Sequence, residues 1–292
     1  MNRIAKIIIV LSFMISQVAF TAQTIEITPV KFNEVDAGMP YNVEKVPVTD
    51  DQSLAGTRIA IVAAHGFEEI EATYPIDFFL SRGAEVDIIA PDWIKDRVMA
   101  VQFLKPSVWL PVTKNISEAV VTDYSAVVIP GGAWNPIIMR TDNQIIEFIQ
   151  AAQKANRLIA AVCHGPQVLI NAGLVKDRMM TGVGDIRIDL ANAGAEVIHD
   201  QPVVLDGNIL TSRDPNDLAE FSKGIEEYLK HKLSFDRLHE ATGNARSGSV
   251  VCPVCKGSGR LHGGPGMYPY TCYECNGTGH VHSNKPPVST DH

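Results

Sequence analysis

The chain has 292 residues, 46% of them hydrophobic, and a formal net charge of -8. That length and apolar content suit one substantial buried core plus a small module. The acidic balance and the lack of a basic stripe argue against nucleic acid as the main partner, because phosphate binding needs clustered Lys and Arg.

In chain order, Arg3 and Lys6 precede an apolar run from Ile7 to about Ala22. A basic start and an apolar stretch too short to span a bilayer comfortably form the pattern of a secretory signal peptide over residues 1–22. Ala19, Thr21 and Ala22 offer small residues for cleavage but no clean Ala-x-Ala triplet. An uncleaved membrane anchor is the other reading. The expectation is an exported, periplasmic chain that has no membrane contact once the signal is removed. Residues 23–56, with Pro29, Pro40 and Pro47, read as an extended arm.

From residue 57 the pattern changes. RIAIVAA (58–64) is a continuous apolar run, as expected of a strand covered on both faces. EEIEATYPIDFFLSRG (68–83) spaces Ile70, Tyr74, Phe78 and Phe79 as a helix does and stops at Gly83. EVDIIAP (85–91) and SAVVIPGG (125–132) read as strands, the second closing in a glycine turn. Residues 142–157 predict a helix, and LIAAV (158–162) a strand leading straight into Cys163, with a helix from Gln167 to Ala172. GDIRIDLANAGAEVI (184–198) predicts a helix, Gly194 and a short strand. Asp206-Gly207 between two apolar runs is a hairpin signal. Residues 215–233 predict a closing amphipathic helix. Strands alternating with helices over 57–233 predict an α/β domain with a mostly parallel sheet and helices on both faces. Residues 234–249 read as a linker, 250–282 as a small module and 283–292 as a disordered tail.

In IAAVCHGPQVLI (159–170) an apolar strand stops at a thiol beside an imidazole. Ligands of open α/β sheets bind outside the carboxyl ends of the strands, where Cys163 is placed. The sharp strand-to-helix passage has the form of a nucleophile elbow. A free thiol titrates near ~8.5, and a helix N-terminus contributes roughly 0.3–1 kcal/mol, less than one pKa unit. A mostly ionised sulfur therefore needs a second donor or cation. His164 and an acid from elsewhere are the candidates; a small buried hydrophobe is the other reading of Cys163.

HGFEEIEATYPIDFFLSRGAEV, YSAVVIPGGAWNP, AAVCHGPQVLINAGLVKDRMMTG and ANAGAEVIHDQPVVLDGNILTSRDPNDLAEF together resemble the PfpI/ThiJ superfamily, a class I glutamine amidotransferase-like, flavodoxin-like group. Its members include cysteine peptidases, glyoxalases and redox-responsive chaperones. The resemblance implies that Cys163 is the nucleophile, His164 the adjacent histidine, Glu71 the acid beside the sulfur, and the Gly132 and His164 amides the oxyanion hole. A carboxylic acid held protonated by burial can donate to a thiolate. His164 is read either as a base or as a scaffold that supplies only its N–H, while Glu68 and Glu69 read as solvated helix-start acids. Peptidase-like relatives often carry an acid shortly after the PGG turn that orients a neighbouring subunit's histidine. Pro136 and Ile137 stand there instead, and a histidine without an orienting carboxylate is a poorer base. Trp134, Phe67 and His65 are candidates to line the substrate pocket, with rim packing as the other reading.

CPVCKGSGR (252–260) and CYECNGTGH (272–280) share the form C-x-x-C-x-G-x-G. The pairs Cys252, Cys255 and Cys272, Cys275 fit a tetrahedral structural zinc site, and two disulfides are the alternative. The repeat resembles the cysteine-rich zinc ribbon of DnaJ-type chaperones in a single-zinc version, which implies a docking module for a protein partner.

The leading expectation is a cofactor-independent cysteine enzyme that attacks a small reactive carbonyl, of glyoxalase or deglycase type. A peptidase or amidase is the alternative, and a redox-responsive stress chaperone with a zinc-ribbon client module is the contrasting reading. The resemblance also implies a homo-oligomer.

Overall fold

The computed structural model describes residues 41–242, 249–252, 256, 258, 260–261, 270–271 and 280–282. All of them lie in one compact unit, Ala37–His292. The expectations for residues 1–22, for the arm before Tyr41, for Cys255, Cys272 and Cys275, and for the tail lie outside the described residues.

The elements run β1 (Arg58–Val62), β2 (Phe67–Glu68), α1 (Glu69–Leu80), β3 (Glu85–Ala90), β4 (Arg97–Gln102), β5 (Lys105–Pro111), β6 (Lys114–Asn115) and β7 (Ala126–Ile129). They continue with α2 (Asn135–Met139), α3 (Asn143–Lys154), β8 (Leu158–Val162), α4 (Pro166–Asn171), β9 (Met179–Met180), α5 (Arg187–Asn192) and β10 (Glu196–Val197). The domain closes with β11 (Val203–Asp206), β12 (Ile209–Ser212) and α6 (Leu218–Thr242).

The main sheet has seven strands in the order β11-β12-β8-β7-β1-β3-β6, parallel except for the β11–β12 hairpin. Counted along the chain, the long parallel strands β1, β3, β7, β8 and β12 give the doubly wound order 2-1-3-4-5. β7 and β8 are buried along their whole length, as are the last four residues of β1. Alternate side chains of a strand face opposite sides, so these strands read as unbroken apolar runs because both faces are covered. Both α3 and α6 pack on β8. α3 shows why: Ile145, Phe148, Ile149 and Ala152 form one buried stripe, and the Asp142 side chain caps its first turn by accepting from Gln144 N and Ile145 N.

Two regions differ from the sequence reading. The helix read as closing at residue 233 continues to Thr242, so the expected linker start is helical. Neither Gly nor Pro occurs between Leu233 and Thr242, and nothing stops the helix before Gly243. Residues 92–124, left unassigned by periodicity, contain β4 and β5, which form a three-stranded sheet with β2 in the order β2-β4-β5. β5 is exposed almost throughout and carries Pro106 and Pro111, which erases the alternation that marks a half-buried strand.

Candidate active site

The switch point of the sheet lies between β1 and β7, and the ends of β1, β7 and β8 converge on one place. β8 runs out at Val162, and Cys163 follows with φ 59, in the left-handed region that few side chains adopt. Such a conformation costs on the order of 1–3 kcal/mol and persists only when its surroundings enforce it. They do: Cys163 N donates to Ser212 O at 3.1 Å, and Val183 N donates to Cys163 O at 3.2 Å. The next turn is equally confined, since a Cβ on Gly165 would sit 2.5 Å from Ile129 O.

The strained elbow aims the thiol at two backbone donors. The N–H groups of Gly132 and His164 both hydrogen-bond to the Cys163 sulfur. Gly132 has φ +85, and a Cβ there would meet the backbone of Gly66, Phe67 and Glu68, so only glycine lets the PGG turn present its amide. Asn135 fixes that turn. It is fully buried, accepts from Ala64 N at 2.6 Å at the end of β1, and donates to Pro130 O at 2.7 Å and Gly131 O at 3.2 Å. The sequence reading passed over Asn135, because an Asn after a glycine turn reads as a loop residue.

Glu71, in the first turn of α1, is fully buried. Its Oε2 accepts from Gly131 N at 2.6 Å, and its carboxyl faces the Cys163 thiol closely enough to share a hydrogen bond. Oε1 has no other partner, which a proton carried there and turned to the sulfur would supply. Burial pushes Glu71 up to about 8, against the opposing pull of the Gly131 amide and Cys163. Burial, and then the Glu71 charge whenever that acid is ionised, push the thiol well up. Two acids this close and this dry do not both ionise. Below about 8 Glu71 keeps its proton, and the Gly132 and His164 amides stabilise the charge that develops when the thiol gives up its own.

His164 lies on the other side of the thiol. Its Nδ1 is 3.3 Å from Cys163 Sγ, and its Nε2 is 2.9 Å from Asp185 Oδ2. With Nε2–H donating to Asp185, Nδ1 is free to take a proton from sulfur. This corrects the expectation of a histidine without an orienting carboxylate: no acid follows the PGG turn, but Asp185 of the same chain does the orienting. Asp185 sits in a short 3-10 turn, Gly184–Ile186, that Val183 pins to the elbow. No local spacing reveals it, since an exposed acid before a helix ordinarily only complements the helix dipole.

Other expected site residues fall elsewhere. Phe67 is fully buried in the core and cannot line an open pocket. His65 accepts from Met99 N through Nδ1 at 3.1 Å and sits edge-on to Trp93 and Trp109, so it anchors β4. Trp134 is exposed and lies over Gly66. Glu68 is buried, not solvated. It accepts from Phe103 N at 2.9 Å, tying the start of α1 to the β4–β5 turn, and burial pushes it up to about 6. Glu69 is partly exposed and accepts from Gln102 of the same hairpin at 3.1 Å.

In the C-terminal module only Cys252 of the four cysteines is described, and it is fully buried. Four strands flank the two C-x-x-C-x-G-x-G segments: β13 (Ser249–Val251), β14 (Arg260–Leu261), β15 (Tyr270–Thr271) and β16 (His280–His282). β13 pairs with β16 and β14 with β15, both antiparallel, so the start of each segment is tied to the end of the other. No cluster of three or more metal-binding side chains occurs among the described residues.

The DJ-1/PfpI family model matches residues 57–227. The chain belongs to the DJ-1/PfpI family. General stress protein 18 of Bacillus subtilis is 34% identical over 168 residues, which cover 58% of this chain and 95% of that protein. Protein/nucleic acid deglycase 2 of Escherichia coli K12 is 36% identical over 167 residues, 57% of this chain and 94% of that one. Among solved structures, a two-domain protein of Anabaena variabilis with DJ-1/ThiJ/PfpI-like and ferritin-like domains superposes with a TM-score of 0.56 at 34% identity. The match covers 59% of this chain and 48% of that one, so the chain spans about half of the Anabaena protein.

Proposed function

We propose that this DJ-1/PfpI protein is a cysteine-dependent enzyme acting on small reactive carbonyl compounds, of glyoxalase or deglycase type. The observation that carries this reading is the setting of Cys163: 8% exposed, with two backbone N–H groups on its sulfur and a buried, proton-holding Glu71 beside it. A thiol so enclosed admits a small carbonyl more readily than a polypeptide. The sulfur attacks the carbonyl carbon, an S–C bond forms as the C=O π bond breaks, and the electron pair moves to oxygen. The thiol proton passes to the new alkoxide, with His164 Nδ1 and the Glu71 carboxyl as its carriers, giving a hemithioacetal. The Gly132 and His164 amides, already aimed at the sulfur, lie where the developing oxyanion forms.

The His164–Asp185 contact favours a second reading, peptidase or amidase chemistry, because an oriented imidazole can protonate a leaving amine. Assays of methylglyoxal consumption and of peptide cleavage, each with Cys163→Ser as control, separate the two. Loss of the nucleophile is expected to lower carbonyl turnover by at least about 10³-fold. Equal turnover by Cys163→Ser overturns both.

For the module, the cross-tied strands and the thiol-rich donor set support a structural zinc site formed by Cys252, Cys255, Cys272 and Cys275. Its role as a protein-docking ribbon, export of the chain and self-association belong to the same proposal.

A further inference from the structure

Pro130 is followed by two glycines, and glycine has little backbone preference, so PGG by itself does not fix which way its two peptide units face. Their facing decides the site. A trans peptide points its C=O and its N–H in opposite directions. The Pro130–Gly131 unit sends its N–H to Glu71 Oε2 at 2.6 Å, and the Gly131–Gly132 unit sends its N–H to the Cys163 sulfur. The turn is pressed against the site: a Cβ on Gly131 would sit 2.6 Å from His164 N, 2.9 Å from Cys163 Cβ and 2.9 Å from Glu71 Oε2. Turned over, either unit would aim a carbonyl oxygen where a donor now stands and oppose the charge that forms on sulfur.

The far ends of both units belong to Asn135. Its Nδ2 donates to Pro130 O at 2.7 Å and to Gly131 O at 3.2 Å, so one side chain holds the carbonyl of each unit whose N–H serves the site. Its Oδ1 accepts from Ala64 N at 2.6 Å, just past the end of β1. An N–H on one side and two carbonyls on the other demand one acceptor and two donors, which an amide supplies and a carboxylate or hydroxyl does not. Asn135 is fully buried and opens α2, where its own N–H donates to Gly66 O at 3.4 Å, so the grip is anchored in the backbone and shielded from bulk water. We propose that Asn135 is a positioning residue for the oxyanion hole: its amide holds the Pro130–Gly131 and Gly131–Gly132 peptides by their carbonyls and so keeps both N–H groups turned toward Glu71 and Cys163. The inference rests on the reading of Cys163 as the nucleophile. Asn135 acts through the PGG turn and not on the substrate itself.

The test uses the full chain. Iodoacetamide alkylation of the Cys163 peptide is followed by mass spectrometry across a pH series, and methylglyoxal turnover gives kcat and KM. Asn135→Ser is neutral, so it adds no charge beside the thiol, and it removes the paired donors. Its alkylation midpoint is expected to move up, with the rate at pH 7 falling about tenfold, the low end for losing a hydrogen bond to a charged group. Its kcat is expected to fall about 10²-fold, the low end for losing one oxyanion-hole donor, with KM little changed. Should Asn135→Ser fail to fold, Asn135→Gln, which carries the same amide one methylene too far, is expected to show the same two losses. A folded variant with a lowered thermal midpoint but wild-type alkylation and kcat overturns the inference and leaves the reactive thiol standing. A crystal structure of the wild type with the Pro130 or Gly131 carbonyl turned off Asn135 overturns it without any variant. Wild-type Cys163 inert to iodoacetamide throughout, with no turnover, overturns the proposed function and this inference together.

Discussion

Two carboxylates attend the same thiol from contrasting surroundings. Glu71 is sealed beneath the PGG turn, with burial holding its proton to about 8. Asp185 has a side chain 68% exposed and meets the imidazole that touches the sulfur. The buried acid can carry a proton at neutral pH, while the exposed one orients the imidazole ring. The same functional group thus takes two roles, and the local dielectric assigns them. The difference also separates their costs: a buried carboxyl destabilises the fold when it ionises, whereas a solvated one scarcely enters the stability.

The sharpest way to break this comparison is Glu71→Gln, which keeps the shape and removes the carboxyl proton. Turnover is expected to fall by at least about 10²-fold, the low end of what a positioned proton carrier contributes. In the wild type, activity should decline as pH rises through about 8, because ionised Glu71 no longer donates and its charge opposes the thiolate. The residual activity of Glu71→Gln should lack that alkaline decline, as read from pH–rate profiles.

Stability gives the next effect. The folded-state value of Glu71 stands above its ordinary 4.5, so its favourable contribution is complete below about 4.5 and lost as pH rises toward about 8. Wild-type unfolding free energy from urea titration should therefore drop across that window by an amount on the order of a few kcal/mol. Glu71→Gln should remove most of this slope. A slope shared by both proteins would assign the loss to other groups.

Asp185→Asn is expected to cost less, about tenfold in kcat with KM little changed, since an exposed partner holds the imidazole weakly. Its thermal midpoint should match the wild type. A loss as large as that of Glu71→Gln would mean that His164 is the principal base and would favour the peptidase reading. Smallest of all is Glu68→Gln, which retains an acceptor for Phe103 N. It should change stability by no more than about 1 kcal/mol and leave the Cys163 alkylation rate unaltered.

Much of the site was legible where the chain is locally constrained. Cys163 was exposed by an apolar strand that ends in CHGP, and Gly132 by a turn that no side chain tolerates. Glu71 was read as the acid beside the sulfur, and the fold places it under the PGG turn; Glu68 was assigned to solvent although it too is buried. Nothing in GFEEIE distinguishes the three acids, because the β4–β5 turn that covers Glu68 comes 35 residues later. Phe67 and His65 were drawn to the pocket by proximity in sequence, whereas the core and β4 claim them.

The sequence by itself determined the alternating α/β frame, the elbow thiol and its glycine-turn amide. Periodicity, turn chemistry and backbone strain are written in consecutive residues. Only the tertiary structure decided which acids serve the sulfur: Glu71 from beneath and Asp185 through His164. Those contacts join segments 21 and 60 residues apart, and the burial that sets their chemistry exists only once the elements have packed.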